Sequence, residues 1–542
     1  MLRSRYILAI VLLNFLVLGL FRIKENRDMF HTDQEVFLQN SLRFNDASIR
    51  LKLFPPMHMA SVSSTLHPLM PYLLYPIAGD MRTFYPSAKL INLTFGLLCL
   101  LALYLLVAAR YGSVPGLLAT LLLSVNSIFV VVSTRLSSEP ILLLLVVLWL
   151  FVSVRCHAPP HARERGGSGK WILAGVISGL AYLSKPTGLL LPCLFVIVCI
   201  ARMRSVGAKR FVLYVSALLL TIAPLMVSNT RGNNSPFYNI NFFHLLSLSG
   251  PSAHTAEDLQ RRGAWDVAMS IDGKEFVSRL TAHSITFFDD LLRHLSPTSM
   301  PQWFSFPIQQ ATRSAAALIV AMSTLYVFVS RRRDALVLLV LLFSLTYSLC
   351  MVPAFSVNPS PRFLLPVILM FSILIGGFST AFMAGQRWIK LAVCAVALSS
   401  IALHTMRDIL GNPLEANDES VDYFLDWTWS AEEGARLAFF EHDTWLVEAL
   451  VQREGRHIMK DSIDNDVCEF PELYRFLQER EVEFLLISSS IFYDGNPVLE
   501  EFEPLGNCER RGNPAREIAP YAELVEEGLP ECGYLAIYRM AG

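Results

Sequence analysis

Charge is what this sequence has least of. Only 17% of its 542 residues are Asp, Glu, Lys or Arg, against 53% that are hydrophobic, whereas a soluble domain runs at about 25% charged. That shortage excludes a disordered chain and weighs against an enzyme that sits wholly in water. Glycine, at 28 residues, is a little below ordinary usage and proline, at 29, is at it, which excludes a collagen-like or low-complexity chain. No solenoid repeat is present. The one Gly/Ser-rich stretch, Arg165 to Lys170, lacks both the spacing and the preceding strand of a phosphate-binding loop. Cysteine is scarce, at nine residues, and six of these fall in or beside apolar runs, where they act as small apolar side chains. Cys468, Cys508 and Cys532 lie near the C-terminus. An oxidising compartment permits a Cys508–Cys532 pair, but three cysteines do not fix a pairing.

What the chain does have is long apolar runs and a division of charge. Its formal net charge of -1 hides two different pieces. From Arg407 to the end there are 30 acidic and 11 basic residues, so the preceding 406 residues are strongly basic. We therefore expect two parts: a membrane body over 1–406 and an acidic domain over 407–542. A spanning helix needs about 20 mostly apolar residues, because the hydrocarbon core is roughly 30 Å thick. Candidate spans fall near 6–22, 88–109, 114–133, 139–154, 171–184, 187–201, 211–228, 313–330, 335–352, 363–383 and 390–406. That is about eleven, with 171–184 and 187–201 short enough to form a tight pair around Lys185-Pro186. The expected fold is thus an all-α polytopic membrane protein with a small extracytoplasmic α/β C-terminal domain.

Basic residues near span ends set the orientation. Arg3 and Arg5 place the N-terminus in the cytoplasm, and the basic connections around Arg155, Arg202, Arg331 and Arg387 then all fall inside. The large segments near 23–87 and 229–312, and the acidic tail, fall outside. No small-residue cleavage site follows the first run, which continues Phe21-Arg22-Ile23-Lys24, so it reads as a retained anchor. In the tail, Trp445 to Arg453 has helical spacing, while Phe484 to Ser489 and Tyr534 to Tyr538 read as strands.

A chain with bulky outer loops and terse inner ones works on its outer face. Asp33 stands about ten residues beyond the first span, at the start of an expected helix; alone, it reads as a helix cap. The segment from His67 to Pro76 leads toward the second span. Ser133 to Pro140 brings Arg135 and Glu139 close together at the membrane surface, where charges are costly unless paired or functional. An Arg135–Glu139 pair at i,i+4 is the simplest account. Lys185, in Lys-Pro-Thr-Gly, and Arg362, in Pro-Arg-Phe-Leu-Leu-Pro, are cations on the outer side, against the positive-inside trend. Each suits a lipid phosphate, or snorkels to headgroups. Asp289-Asp290, with His283 and His294, reads as a solvated face rather than a metal site.

In this order, an outward Asp, a His-Pro stretch, Arg-x-x-x-Glu-Pro, Lys-Pro-Thr-Gly and Pro-Arg-Phe-Leu-Leu-Pro, the chain resembles membrane glycosyltransferases of the protein O-mannosyltransferase and aminoarabinose transferase type. These have the GT-C fold and use polyprenyl-phosphate sugars. The resemblance covers roughly 1–406 and is strongest from Ala88 to Arg155. It implies that Asp33 is the catalytic aspartate, with Gln34 where the family has Glu and Glu35 displaced by one. It further implies acceptor or metal handling by Glu139, lipid-phosphate binding by Lys185, Arg362 and Arg135, and a donor or acceptor loop including His67 and Glu35. The implied partners are a polyprenyl-monophosphate sugar and a lipid, polysaccharide or protein hydroxyl, with no nucleic acid. The implied location is the inner membrane. Metal dependence varies in the superfamily, so a divalent ion stays open.

The chemistry is coherent. Cations stabilise charge on a departing phosphate, an ionised Asp accepts the acceptor proton, and inversion follows from direct displacement. A secondary transporter would place its polar groups near mid-bilayer. A polysaccharide polymerase or ligase would use a diphosphate donor. A scaffold without activity would find support in Gln34 alone.

Overall fold

The computed structural model describes residues 2–23, 34, 37, 38, 41, 68–79, 81–156, 168–201, 207–233, 273–295, 306–331, 334–357, 361–383, 436–440, 459–463, 478–479, 484–488, 522–524 and 535–540. Two compact units are distinguished. The first comprises 1–23, 44–76 and 88–411; the second comprises 24–43, 77–87 and 412–542.

The first unit is helical because its sequence is a series of apolar runs closed by polar or glycine punctuation. In chain order its described helices are α1 (Leu2–Ile23), α2 (Leu69–Leu74), α3 (Met81–Tyr111, whose first turn falls in the second unit), α4 (Ser113–Ser124), α5 (Ser127–Thr134), α6 (Glu139–Cys156), α7 (Gly169–Ser184), α8 (Leu190–Ala201), α9 (Ala208–Asn233), α10 (Gly273–Leu295), α11 (Phe306–Arg331), α12 (Ala335–Val357) and α13 (Leu365–Met383). Short 3-10 turns at Pro186–Leu189 and Pro361–Leu364 lead into α8 and α13.

Among the described residues, six helices are long and apolar enough to cross a membrane, or seven if the bent pair α4–α5 counts as one span. Three shorter apolar helices lie at Gly169–Ser184, Pro186–Ile200 and Ala317–Ser330. The run 390–406 lies outside the described residues. The chain is an integral membrane protein.

The run 114–133, expected as one span, is broken. α4 and α5 meet at 67°. Asn126 makes the break: its side chain accepts from the Phe129 amide at 3.1 Å, capping α5, and its Nδ2 donates to the His294 carbonyl at 2.7 Å. An Asn that caps a new helix start satisfies a backbone amide that a continuous helix would have used. Gly112, between α3 and α4, has φ +102, a conformation that side-chain-bearing residues resist.

α6 and α13 form the centre of the bundle, each with 72% of its apolar window buried, against 17% for Ala208–Val227 of α9. α7 lies close to α9 because Gly175 and Gly179 leave room for Ala217 and Thr221. An aromatic cluster ties four helices together. Phe195 of α8 stacks on Tyr214 of α9 at 4.1 Å and meets Trp171 of α7 and Trp149 of α6 edge-on. The Tyr214 hydroxyl is satisfied at Ser178, 3.0 Å away.

The second unit contains a five-stranded sheet in the order β2-β1-β3-β5-β4. Its strands are β1 (Arg436–Phe440), β2 (Met459–Ile463), β3 (Phe484–Ser488), β4 (Ala522–Leu524) and β5 (Leu535–Met540). β1 runs parallel to both β2 and β3, while β5 is antiparallel to β3 and β4. Parallel neighbours require crossover connections, as an alternating α/β pattern would supply. Within the expected run Phe484 to Ser489 the strand β3 covers Phe484–Ser488, and the last strand starts one residue beyond Tyr534. The helical run Trp445 to Arg453 and the cysteines of the tail lie outside the described residues.

Candidate functional site

Glu139 is the first residue of α6, behind the turn that follows α5. A carboxylate is favoured there by the free amides and positive end of the helix. Its side chain is only 4% exposed. Such burial of a charge demands partners, and two cations supply them. Lys185 Nζ donates to Glu139 Oε1, and Arg362 Nε approaches the same oxygen at 3.8 Å.

Each cation is placed by its backbone. Lys185 ends α7 in an extended conformation, its amide donating to the Ala181 carbonyl at 3.1 Å and its carbonyl accepting from Gly188 at 2.9 Å. Arg362 sits in the second 3-10 turn, which Tyr347 of α12 anchors by donating its hydroxyl proton to the Phe363 carbonyl at 3.0 Å. The Phe363 ring lies 4.9 Å from Lys185 Nζ and 5.4 Å from Arg362 Cζ, close enough for cation–π attraction to both.

The cluster occupies one end of the bundle. α6 leads from Glu139 to Cys156 and α7 returns to Lys185; at their other end Lys170 Nζ donates to the Arg155 carbonyl at 3.2 Å. α12 similarly separates Arg362 from Asp334, which accepts from Arg110 Nε at 2.7 Å and caps α12 at the Leu336 amide, 3.0 Å away. Basic connections and candidate site thus lie at opposite ends.

Arg135 is not the partner of Glu139 that sequence proximity suggested. α5 ends at Arg135, whose φ of -99 and ψ of 163 are extended, and α6 starts only at Glu139, so no shared helical turn pairs them. Arg135 is exposed at the same turn. Sequence reading missed what holds that turn. Asn92, fully buried in α3, donates through Nδ2 to the Val132 carbonyl at 2.7 Å and the Arg135 carbonyl at 2.5 Å, and Ser137 Oγ donates to Val132 at 2.9 Å. An amide inside an apolar run was its only signal.

Asp33, Glu35 and His67 lie outside the described residues. Gln34 is described: in the second unit, its Oε1 accepts from the Tyr85 hydroxyl at 3.1 Å, and it is buried. Among the described residues no group of three or more His, Cys, Asp or Glu is placed to hold a metal ion. Lys185 and Arg362 approach Glu139 where a metal site would need further ligands.

Over its whole length the chain superimposes on ArnT from Cupriavidus metallidurans bound to undecaprenyl phosphate, with a TM-score of 0.55 and 12% identity, covering 98% of this chain and 97% of that one. The fold is GT-C. An oligosaccharyltransferase from Archaeoglobus fulgidus, tethered to an acceptor peptide, matches with a TM-score of 0.52 and 12% identity over 90% of this chain and 69% of its own. Residues 67–230 match the family described as dolichyl-phosphate-mannose-protein mannosyltransferase. That segment contains Asn92, Arg135, Glu139 and Lys185, whereas Asp33 and Arg362 lie beyond it. No curated protein sequence matches the chain. Together the matches support a membrane glycosyltransferase with the GT-C fold.

Proposed function

We propose that this GT-C protein transfers a sugar from a polyprenyl-monophosphate donor to an acceptor hydroxyl on the outer face of the inner membrane, with inversion. The observation that carries the reading is the convergence of Lys185 and Arg362, from segments far apart in sequence, at the end of the bundle away from the basic connections. ArnT, which has the same fold, binds undecaprenyl phosphate.

In this reading Lys185 and Arg362 face the donor phosphate, with Arg135 nearby at the same turn. The bond between the anomeric carbon and the phosphate oxygen breaks, its electron pair stays on phosphate, and the cations stabilise the developing charge. The acceptor oxygen attacks from the opposite side and its proton passes to Asp33, assigned on its motif. Glu35 and His67 belong to the loop that positions donor or acceptor. The topology accompanying this reading has about eleven spans, a cytoplasmic N-terminus and a membrane body over 1–406. The acidic residues 407–542 form an α/β domain outside.

The test is a panel of radiolabelled polyprenyl-monophosphate sugars offered to purified protein in nanodiscs with a membrane extract as acceptor source. Wild type is expected to consume one donor and Asp33→Asn to lose at least 100-fold, within the range of a general base at about 10²–10⁴-fold. No consumption of any monophosphate donor by folded protein would overturn the reading.

A further inference from the structure

Gln34 occupies the position at which the resemblance implies Glu, and its side chain is buried. We propose that Gln34 and Tyr85 are positioning residues for sugar transfer, the bond between their side chains holding the segment that carries Asp33. The inference rests on the reading of Asp33 as the base and adds what keeps that base in place.

Gln34, Phe37, Leu38 and Ser41 are helical, at the i, i+3, i+4 and i+7 spacing of one helix face. All four are buried, at 3%, 1%, 1% and 0% exposure. One face of the segment that begins next to Asp33 is therefore packed away from solvent over about two turns. Phe37 and Leu38 supply apolar burial, which is strong but has no direction. Ser41 bonds within the segment, its hydroxyl donating to the Phe37 carbonyl at 2.6 Å. Gln34 bonds outside it: its Oε1 accepts from the Tyr85 hydroxyl at 3.1 Å, across 51 residues of sequence.

Tyr85 is well seated. It stands in the opening turns of α3, 1% exposed, beside Phe84, which is equally buried. Residues 24–43 and 77–87 belong to the same unit. A buried phenol needs a hydrogen-bond partner, and a neutral amide supplies one without taking a charge out of water. A Glu at 34 would set a second carboxylate next in sequence to Asp33, where burial and a like charge both oppose ionisation. The amide at 34 is thus an anchor in this chain and no sign of lost activity. Hydrogen bonds are directional, so this one fixes the rotation of the helix face, which apolar burial leaves free. Neighbouring Cα atoms are about 3.8 Å apart across a trans peptide, so fixing Gln34 limits where Asp33 can go. A misplacement of about 1 Å can cost on the order of 10²-fold in rate, and a loosened anchor should cost about tenfold.

The test is a double-mutant cycle on Tyr85→Phe and Gln34→Met, each of which removes one half of the bond and leaves a side chain of similar size. Both residues have further partners, and the cycle separates the coupling of this pair from those. The full chain in nanodiscs is given the radiolabelled polyprenyl-monophosphate sugar that wild type consumes, and kcat and the donor KM are measured beside thermal melts. Each single variant should lose about tenfold in kcat with the donor KM within twofold, as expected for an interaction that matters only in the transition state. The double variant should lose the same tenfold. Ser41→Ala, which removes an equally buried hydroxyl two turns along the same face, should leave kcat within twofold. If Gln34→Met does not fold, Tyr85→Phe against Ser41→Ala decides the matter. Losses that multiply in the double variant, a loss confined to KM, or equal slowing by Ser41→Ala would overturn the proposal. So would an unchanged kcat in Tyr85→Phe while Asp33→Asn abolishes transfer, an outcome that leaves the base reading standing. If Asp33→Asn transfers as well as wild type, or wild type consumes no donor, the base reading falls and the anchor falls with it.

Discussion

Asn92 reaches across 43 residues of sequence to donate a hydrogen bond to the main-chain carbonyl of Arg135. The same amide nitrogen serves the Val132 carbonyl, so one buried side chain in α3 fixes the end of α5 and the turn that delivers Glu139 to the head of α6. Replacement by Leu keeps the branching and the number of heavy atoms and removes both N–H donors. Both carbonyls then lose a donor, although Val132 keeps the Ser137 hydroxyl, and each lost hydrogen bond costs about 0.5–1.5 kcal/mol. Asn92→Leu should lower the thermal midpoint by several degrees in detergent and also weaken farnesyl phosphate binding. A variant as stable as wild type would show that the turn is held by other contacts.

How much of this was legible beforehand differs residue by residue. Glu139, Lys185 and Arg362 each stood out because a charge beside hydrocarbon needs a reason. Their mutual pairing did not, because it depends on α6 packing against α7 and on where the second 3-10 turn lies. Sequence proximity pointed to Arg135 instead, and the extended backbone at Arg135 removes it from that role. Hydropathy located the apolar runs, but averaging over a window conceals a 67° break at Asn126, where one polar residue starts a new helix. Strands β3 and β5 were visible as apolar runs, whereas β1, β2 and the sheet order depend on long-range pairing.

Gly188 gives a second prediction. A Cβ there would run into the backbone carbonyl of Ala181, two backbone segments that together hold Lys185 between them. Neither segment is a flexible side chain that gives way at low cost. Gly188→Ala should therefore destabilise the protein and weaken farnesyl phosphate binding at least tenfold. Gly169→Ala, where a Cβ meets nothing within 4 Å, should change stability by less than about 1 kcal/mol. Circular dichroism melts beside binding isotherms decide the matter; equal effects at the two sites would contradict the packing account.

The opposite end of the bundle supplies a control. Asp334 caps α12 and pairs with Arg110. Because the Arg110 side chain is 48% exposed, solvent screens the ion pair and the cap dominates. Asp334→Ala should cost about 1–2 kcal/mol while leaving sugar transfer within twofold of wild type. A collapse of transfer at preserved stability would mean that this end also takes part in function.

Sidedness is open to direct labelling. In a cysteine-free background, Ser168→Cys and Pro361→Cys lie at the two opposite ends of the bundle, and both positions are exposed. A membrane-impermeant maleimide applied to intact cells should label Pro361→Cys and spare Ser168→Cys, with the reverse in inverted vesicles. Labelling of both from one side would overturn the orientation drawn from the basic connections.

The most direct measurement of the central claim is donor choice in a single assay: consumption of matched polyprenyl-monophosphate and polyprenyl-diphosphate sugars by wild type, Lys185→Gln and Arg362→Gln in nanodiscs. The account predicts that wild type consumes the monophosphate donor and that each cation variant slows this at least tenfold, with folding unchanged. Consumption of the diphosphate donor alone, or monophosphate consumption indifferent to both substitutions, would contradict it.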